Sequence, residues 1–344
     1  MKLTRRQTLA TGAGLVGSAM LPRLAFAQSY PERPITVAML APAGGATDRG
    51  TRPVLEFMKE ALGARAMAVQ DMSGAGGIQG LDYLMAQPAD GYTWGGMNDV
   101  IEAFPSLGRM DYDWRAFDFW MSAGTSCGIA VPADSPIENF EQFVNEVTDE
   151  PGQYSVSSTP SGSLWSNVAE YMRKGMGLDF KLANYPGGGP SVRAVLAGEV
   201  DFGCMGVTPM VNFIQAGQMR CLVAWVPEDW ETAGVVIPSI ANYVDDPLVL
   251  RTLPWTNIHG IGTKKGVPEE ILVEIDAAFA EAMANPEMDQ IYNDNAFFPF
   301  QVGRDKANDL MGERTALQAY VIEVILGTAV KTRDELGIPK IEEA

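Results

Sequence analysis

The stretch Ile35-Thr36-Val37-Ala38-Met39-Leu40-Ala41-Pro42-Ala43-Gly44-Gly45-Ala46-Thr47-Asp48 decides the fold. Its first six residues are mostly apolar and do not alternate, the pattern of a strand buried on both faces. Residues 41–46 make a Pro/Gly turn, and from Asp48 onward Val54, Leu55, Met58 and Leu62 recur at helical spacing until Gly63 stops the helix. Strand, small-residue loop and helix in that order form the repeating unit of an α/β sheet.

Working outward, the unit recurs. A strand over residues 66–70 leads into Ser73-Gly74-Ala75-Gly76-Gly77 and a helix over 78–85, and the turn Pro88-Ala89-Asp90-Gly91 opens a strand at 92–95. Composition shifts near Gly124. A strand over 127–132 then precedes a helix at 140–147, a strand at 154–157, the loop Ser157-Ser158-Thr159-Pro160-Ser161-Gly162-Ser163 and a helix at 164–176. A strand at 180–185, the loop Pro186-Gly187-Gly188-Gly189-Pro190, a helix at 191–197 and strands at 200–205 and 221–226 follow. Beyond a loop-rich stretch, residues 258–263 read as a strand and residues 268–284, 286–295 and 306–325 as helices. The pattern predicts an α/β protein of two lobes, residues 28–125 plus 226–344 in lobe 1 and 126–225 in lobe 2, crossed by strands near 124–132 and 223–227.

Residues 1–27 read as a cleaved signal peptide. Lys2, Arg5 and Arg6 precede a weakly apolar stretch from Leu9 to Leu21 and the small-x-small site Ala25-Phe26-Ala27. The apolar stretch is too short for a spanning helix, which needs roughly 20 residues. Thr4-Arg5-Arg6-Gln7-Thr8-Leu9 is similar to a twin-arginine export signal, with Thr8 at the place usually held by Phe. The expected location of the mature protein is the periplasm.

Composition excludes whole classes of function. His259 is the one histidine of 344 residues, so no site built from several imidazoles exists, and any Ser-His machine would run through that residue. Lys plus Arg number 25 against 43 Asp plus Glu, a net charge of −18 that removal of the leader takes to −22. Nucleic acid is therefore not an expected partner. No metal or cofactor motif is present: GxxxxGK[ST] is absent, and Gly74-Ala75-Gly76-Gly77-Ile78-Gln79-Gly80 places its third glycine one position late for a dinucleotide fingerprint. Of the three cysteines, Cys204 and Cys221 lie in strand-like runs and are the pair a disulfide would join, with Cys127 left over; the alternative is three buried free thiols. His259, between apolar residues, reads as a structural histidine with its hydrogen bonds satisfied.

Four loops, at 42–48, 73–77, 157–163 and 186–190, each follow a strand and precede a helix. In a parallel sheet all four open at the carboxyl edge, where α/β proteins bind ligands. Glycine and serine expose main-chain N–H groups there, and helix N-termini add partial positive charge, so an acidic protein holds an anion without basic side chains. Asp48, in a first helical turn, reads as a capping acid with Arg52 at i+4. Trp94, Trp165, Tyr185 and Trp225 stand at strand or loop edges and could face a cleft or pack in the core.

In this order the segments resemble the Bug-type receptors of tripartite tricarboxylate transporters. The resemblance is carried by Tyr30-Pro31-Glu32-Arg33-Pro34-Ile35, residues 42–48, residues 73–77, Pro88-Ala89-Asp90-Gly91-Tyr92-Thr93, Tyr185-Pro186-Gly187-Gly188, Leu196-Ala197-Gly198-Glu199-Val200-Asp201 and Ala216-Gly217-Gln218-Met219-Arg220. It implies a two-lobed periplasmic binding protein fold of type II, with a ligand cleft between the lobes. It also implies that a small organic carboxylate is delivered to membrane permease subunits by a receptor that is not an enzyme and works as a monomer. The expected ligand-binding residues are Ala43, Gly44, Gly45, Ala46, Thr47 and Asp48 in the first loop and Ser73, Gly74 and Ala75 in the second. In lobe 2 they are Ser157, Ser158, Thr159, Gly162 and Ser163, then Tyr185 and Gly187; Met97 and Met205, at or just beyond strand ends, complete the set. Ala43, Ser166 and Pro186 stand where the family usually has Pro, His and Lys, which lowers the basic character of the cleft and points to a less charged or aromatic acid.

The alternatives are a ligand-sensing subunit for a membrane histidine kinase, and a secreted serine hydrolase using Ser157 or Ser163 with His259, which lacks a GxSxG elbow. If main-chain groups hold the ligand, Gly44→Val or Gly162→Val weakens ligand binding more than replacing individual Lys or Arg residues with Ala, as calorimetric titration of the variants would measure.

Overall fold

One 16-residue strand runs through the whole molecule in the computed structural model, which describes residues 30–341. The elements before it are β1 (Ile35–Met39), α1 (Ala46–Ala61), β2 (Met67–Asp71), α2 (Ile78–Ala86), β3 (Thr93–Met97) and the short α3 (Val100–Ala103). The long strand is β4 (Phe117–Pro132), and α4 (Phe140–Asp149), β5 (Ser155–Ser158), α5 (Leu164–Lys174), β6 (Lys181–Asn184), α6 (Gly188–Leu196), β7 (Phe202–Gly206), α7 (Val211–Gln215) and β8 (Met219–Ala224) follow. The chain ends with β9 (Trp230–Thr232), β10 (Val235–Ile237), α8 (Pro247–Thr252), β11 (Thr256–Lys264), α9 (Glu269–Met283), α10 (Pro286–Asp294), β12 (Phe298–Val302), α11 (Arg304–Tyr320) and α12 (Arg333–Leu336). The expected signal peptide at residues 1–27 lies outside the described residues.

The sheet order is β2-β1-β3-β11-β4-β7-β5-β6. Along its first half β4 pairs with β11 on one edge and β12 on the other; along its second half its edges take β7 and β8. Fifteen of its sixteen residues are buried, because it has a strand on each side and helices above and below. The sheet is mixed rather than parallel. β1, β2 and β3 are parallel, as are β5, β6 and β7, but β4 and β11 run against their neighbours. The strand expected at 127–132 is only the second half of β4; its first half also carries strand-favouring residues in Phe117, Phe119 and Trp120, followed by the small run Ser122-Ala123-Gly124.

Each half has its own apolar core. Ile35, Val37, Trp94 and Trp120 pack with α1, α9 and α10 in the first, and Ile129, Phe140, Val156, Val168 and Phe202 form the second. The chain does not return to the first core at 226 as expected. Trp230, Ile237, Ile240, Val249 and Trp255 belong to the second core, because β9, β10 and α8 lie against it. Ser126, Trp225 and Trp255 tie the two crossing segments together: Ser126 Oγ donates to the Trp225 carbonyl at 2.9 Å and Trp255 N to the same carbonyl at 3.0 Å.

The three cysteines are free. Cys204 on β7 and Cys221 on β8 flank opposite edges of β4. Two strand spacings, about 9–10 Å, separate such positions, beyond the ~7 Å Cα reach of a disulfide. The thiol nearest Cys204 is Cys127, at 3.6 Å. Among the described residues no helix is long and apolar enough to cross a membrane.

Gly260 shows how tightly β11 sits on β4. The register slips between His259 and Gly260, and a Cβ on Gly260 would lie 2.0 Å from the Trp120 carbonyl oxygen. Main chain cannot move aside cheaply there. Gly260→Ala should destabilise the protein by about 2–3 kcal/mol, read as a lower urea midpoint at unchanged slope.

Candidate functional site

The loops that follow β1, β2 and β3 face the loops that follow β5 and β6 across a cleft of about 650 Å³ counted to its open mouth. From the first half, Gly45, Ala46 and Thr47 line it at the first turn of α1, with Ser73 and Gly76 beside them. Asn98, Asp99 and Val100 follow β3, and Asn257 reaches the same wall from β11. From the second half come Thr159, Pro160, Ser163 and Trp165 at the start of α5, and Pro186, Gly187 and Gly188 at the start of α6. Three helix N-termini therefore border one space, and their first-turn N–H groups have no intrahelical acceptor. No Lys, Arg or His is among the lining residues.

Of the residues expected from sequence, Gly45, Ala46, Thr47, Ser73, Thr159, Ser163 and Gly187 line this cleft. The others sit elsewhere for identifiable reasons. Gly74 and Ala75 are exposed in a tight turn on its outer side. Ser157 and Ser158 are buried in β5, where Ser157 Oγ donates to the Ser191 carbonyl at 3.2 Å. Met97 and Met205 are buried in their strands. Tyr185 points its hydroxyl at Glu199, 3.3 Å away. Gly162 meets the first half directly: a Cβ there would lie 2.4 Å from Leu107 Cδ1, and its φ of +84° suits glycine, whereas Gly44 (φ +76°) faces open space.

Ala43, Gly44 and Asp48 show why the first loop offers fewer donors than expected. Gly44 N–H donates to Asp48 Oδ2 at 3.0 Å, and Asp48 also pairs with Arg52, as its position in the helix implied. Ala43 N–H and Ser73 N–H both donate to Asp71, at 3.4 and 3.0 Å, and these bonds hold the Asp71 carboxyl below its ordinary value, the Ser73 interaction most of all. Across the cleft, Leu164 N–H at the start of α5 donates to Asp99 Oδ2 at 2.9 Å. The protein's own carboxylates thus occupy part of the main-chain cradle. The N–H groups of Ala46 and Thr47, and of Gly188 and Gly189, stand in first helical turns where no intrahelical acceptor exists.

Sequence reasoning missed Asn98, Asp99, Val100, Phe104 and Asn257. Asn98-Asp99 does follow a strand and precede a helix, the same grammar as the glycine loops, but it lacks their Gly/Ser composition. Asn257 comes from an antiparallel strand far along the chain and carries no local signal. The halves also touch directly: Arg109 Nη1 donates to the Ser161 carbonyl at 2.7 Å and Arg49 Nη1 to the Thr208 carbonyl at 3.3 Å.

His259 does not line the cleft. It is fully buried, edge-on to Phe297, and neither ring nitrogen has a hydrogen-bond partner, so the satisfied histidine expected from sequence is not what the fold contains. Burial, with Arg314 adding to it, pushes its pKa down to about 3 and keeps the ring neutral. Beneath the Asp99 wall, Glu102 is fully enclosed and bonds Arg314 Nε at 2.8 Å, while Arg314 also donates to the Thr256 carbonyl. Burial outweighs that partner and pushes Glu102 up to about 7; it also raises Asp99.

A family model for the tripartite tricarboxylate transporter family receptor matches residues 51–326. The chain belongs to that receptor family. A Cupriavidus necator relative, a UPF0065 protein in the gbd 5' region, is 24% identical over 321 residues, covering 92% of this chain and 95% of that protein. Protein BugT of Bordetella pertussis is 22% identical over 327 residues, covering 94% and 98%. The fold matches that of the periplasmic binding protein BugD, with a TM-score of 0.78 at 19% identity over 87% of this chain and 99% of that one. It also matches malate-bound MatC from Rhodopseudomonas palustris, with a TM-score of 0.74 at 20% identity over 86% of this chain and all of MatC's. The family's mixed α/β periplasmic binding protein fold is therefore present here, its two halves joined through β4.

Glu102 gives a pH signature with a definite sign. Its folded pKa of about 7 exceeds the ordinary 4.5, so between those values the folded state holds a proton that the unfolded chain has released. Its contribution to stability therefore falls as pH rises across that window, by up to about 3 kcal/mol. Urea unfolding at pH 5 and pH 7.5 should show this loss in the wild type and a smaller one in Glu102→Gln.

Proposed function

We propose that this protein is a periplasmic receptor that captures a small organic carboxylate between its lobes and delivers it to the membrane permease subunits of a tripartite tricarboxylate-type transporter. The observation that carries the reading is the meeting of the α1, α5 and α6 N-termini from opposite halves around one cleft that contains no basic side chain. Such an arrangement holds an anion by main-chain N–H groups, hydroxyls and bridging water, and closing the lobes assembles it. Membership of the receptor family and the malate bound to MatC support the ligand class. The core packing supports a second lobe that runs from 126 to 255, later in the chain than the sequence implied, with Ala296, Val321 and Leu326 from the returning segment also packed in its core. Residues 1–27 act as the export signal, cleaved after Ala27.

The hydrolase alternative gains nothing from the geometry. Ser163 Oγ lies 2.6 Å from Thr159 Oγ1, and His259 is enclosed away from both Ser157 and Ser163, with Phe297 against its ring.

A thermal-shift screen of dicarboxylates, tricarboxylates and aromatic acids tests the reading. A cognate acid at 100 times its Kd should add about 2.7 kcal/mol and raise Tm by roughly 4 °C or more, and should be recovered unchanged. Turnover of the acid would overturn the receptor, and no shift with any acid would overturn the carboxylate.

A further inference from the structure

The cleft wall presents acceptors as well as donors. Asp99 is 4% exposed and stands at the seam of the two halves, where one carboxylate oxygen takes the Leu164 N–H at 2.9 Å. Asn257, 9% exposed, lines the same wall, and its Oδ1 has no hydrogen-bond partner. Asn257 and Asp99 line the same wall, so the orphaned oxygen of Asn257 and the carboxyl group of Asp99, whose charged form burial disfavours, offer acceptors to one space. A buried acceptor without a donor is costly, and buried polar groups in binding clefts are commonly completed by the ligand.

Among the described residues no Lys or Arg hydrogen-bonds to Asp99 or to Asn257 Oδ1, although the Arg314 charge acts on Asp99. Arg314 is committed to Glu102 and to the Thr256 carbonyl, and Arg49 and Arg109 each donate to a carbonyl across the cleft. A second ligand carboxylate placed against Asp99 would meet like charge and lone pairs. A hydroxyl or ammonium there would instead give a donor to Asp99, to Asn257 Oδ1, or to both.

We infer that the ligand is an acid that carries a hydrogen-bond donor, ammonium or hydroxyl, and that Asp99 and Asn257 read that donor while first-turn N–H groups of α1 or α6 hold the carboxylate. This specificity rests on the carboxylate-receptor reading above. It makes Asp99 a discriminating residue that also bonds to the opposite lobe, so the correct ligand and lobe closure share one carboxyl group.

Calorimetric titration of the mature full chain tests this with matched acids. Succinate is compared with malate and aspartate, and adipate with 6-hydroxyhexanoate and 6-aminohexanoate. The donor-bearing acids of at least one set should bind about ten-fold tighter than the parent diacid, the worth of one charge-assisted hydrogen bond. An ammonium advantage over hydroxyl identifies charge pairing with Asp99; equal gains identify donor recognition alone. In Asp99→Asn and Asn257→Ala the advantage should shrink to less than about three-fold, with the parent diacid gaining affinity in Asp99→Asn. Parent diacids binding as well as or better than their partners would overturn the inference and leave the carboxylate receptor standing, whereas no binding by any acid would overturn both. An undiminished advantage in both variants would also overturn it, and if a variant fails to fold, the wild-type comparison decides.

Discussion

Everything in this molecule hangs on β4 being continuous. A strand that has a partner along nearly all of its length, and on both edges around 121–124 and 128–130, cannot bend freely without breaking hydrogen bonds, so the two halves of the sheet keep a common backbone and their loops are brought to the same side of it. Gly124 and Gly128 make that continuity sterically possible. A Cβ on Gly124 would lie 2.3 Å from Phe300 Cε2, and one on Gly128 2.6 Å from Met210 Cε and 2.9 Å from Cys221 Sγ. The same strand sets Asn257 in place, because Asn257 is registered opposite Thr125, and Thr125 Oγ1 takes the Thr208 hydroxyl at 3.0 Å. The cleft wall and the crossing between halves are thus one construction.

Around that frame the electrostatics follow a consistent logic. Helix N-termini attract negative charge, and in a chain of net charge −18 the nearest negative charges are its own. Asp48, Asp71 and Asp99 each accept N–H groups from the loops that border the cleft. Those bonds order the loops while no ligand is needed to do so, and they narrow the set of donors that a ligand meets. The result is a site that is selective by what its acids have already taken as much as by what remains.

The architecture was legible from particular residues. Residues 35–48 reported strand, turn and helix, and β1 and α1 are where that pattern placed them to within two residues. The helices at 269–283 and 286–294 were likewise readable from apolar periodicity bounded by Pro268 and Pro286. The first half of β4 was not, because its aromatic run Phe117 to Trp120 is separated from the apolar run at 127–132 by Ser122-Ala123-Gly124, small residues that interrupt the strand pattern. Within the cleft, Gly45 to Thr47, Thr159, Ser163 and Gly187 lie on loops whose small residues announced them, while Asp99 and Asn257 look in sequence like any polar residue at a strand end.

By itself the sequence determined the local grammar: which runs are strands, which loops expose main-chain groups, and that one histidine and an acidic balance leave backbone rather than basic side chains to meet an anion. These are properties of period, composition and turn chemistry, which act over a few residues. Only the tertiary structure decided that Cys204 and Cys221 are separated by β4, that residues 226–255 stay with the second core, and that Asp99 caps a helix from the opposite half. Each of those depends on which segments distant in sequence lie edge to edge, and strand pairing across more than a hundred residues leaves no periodic trace in the chain that forms it.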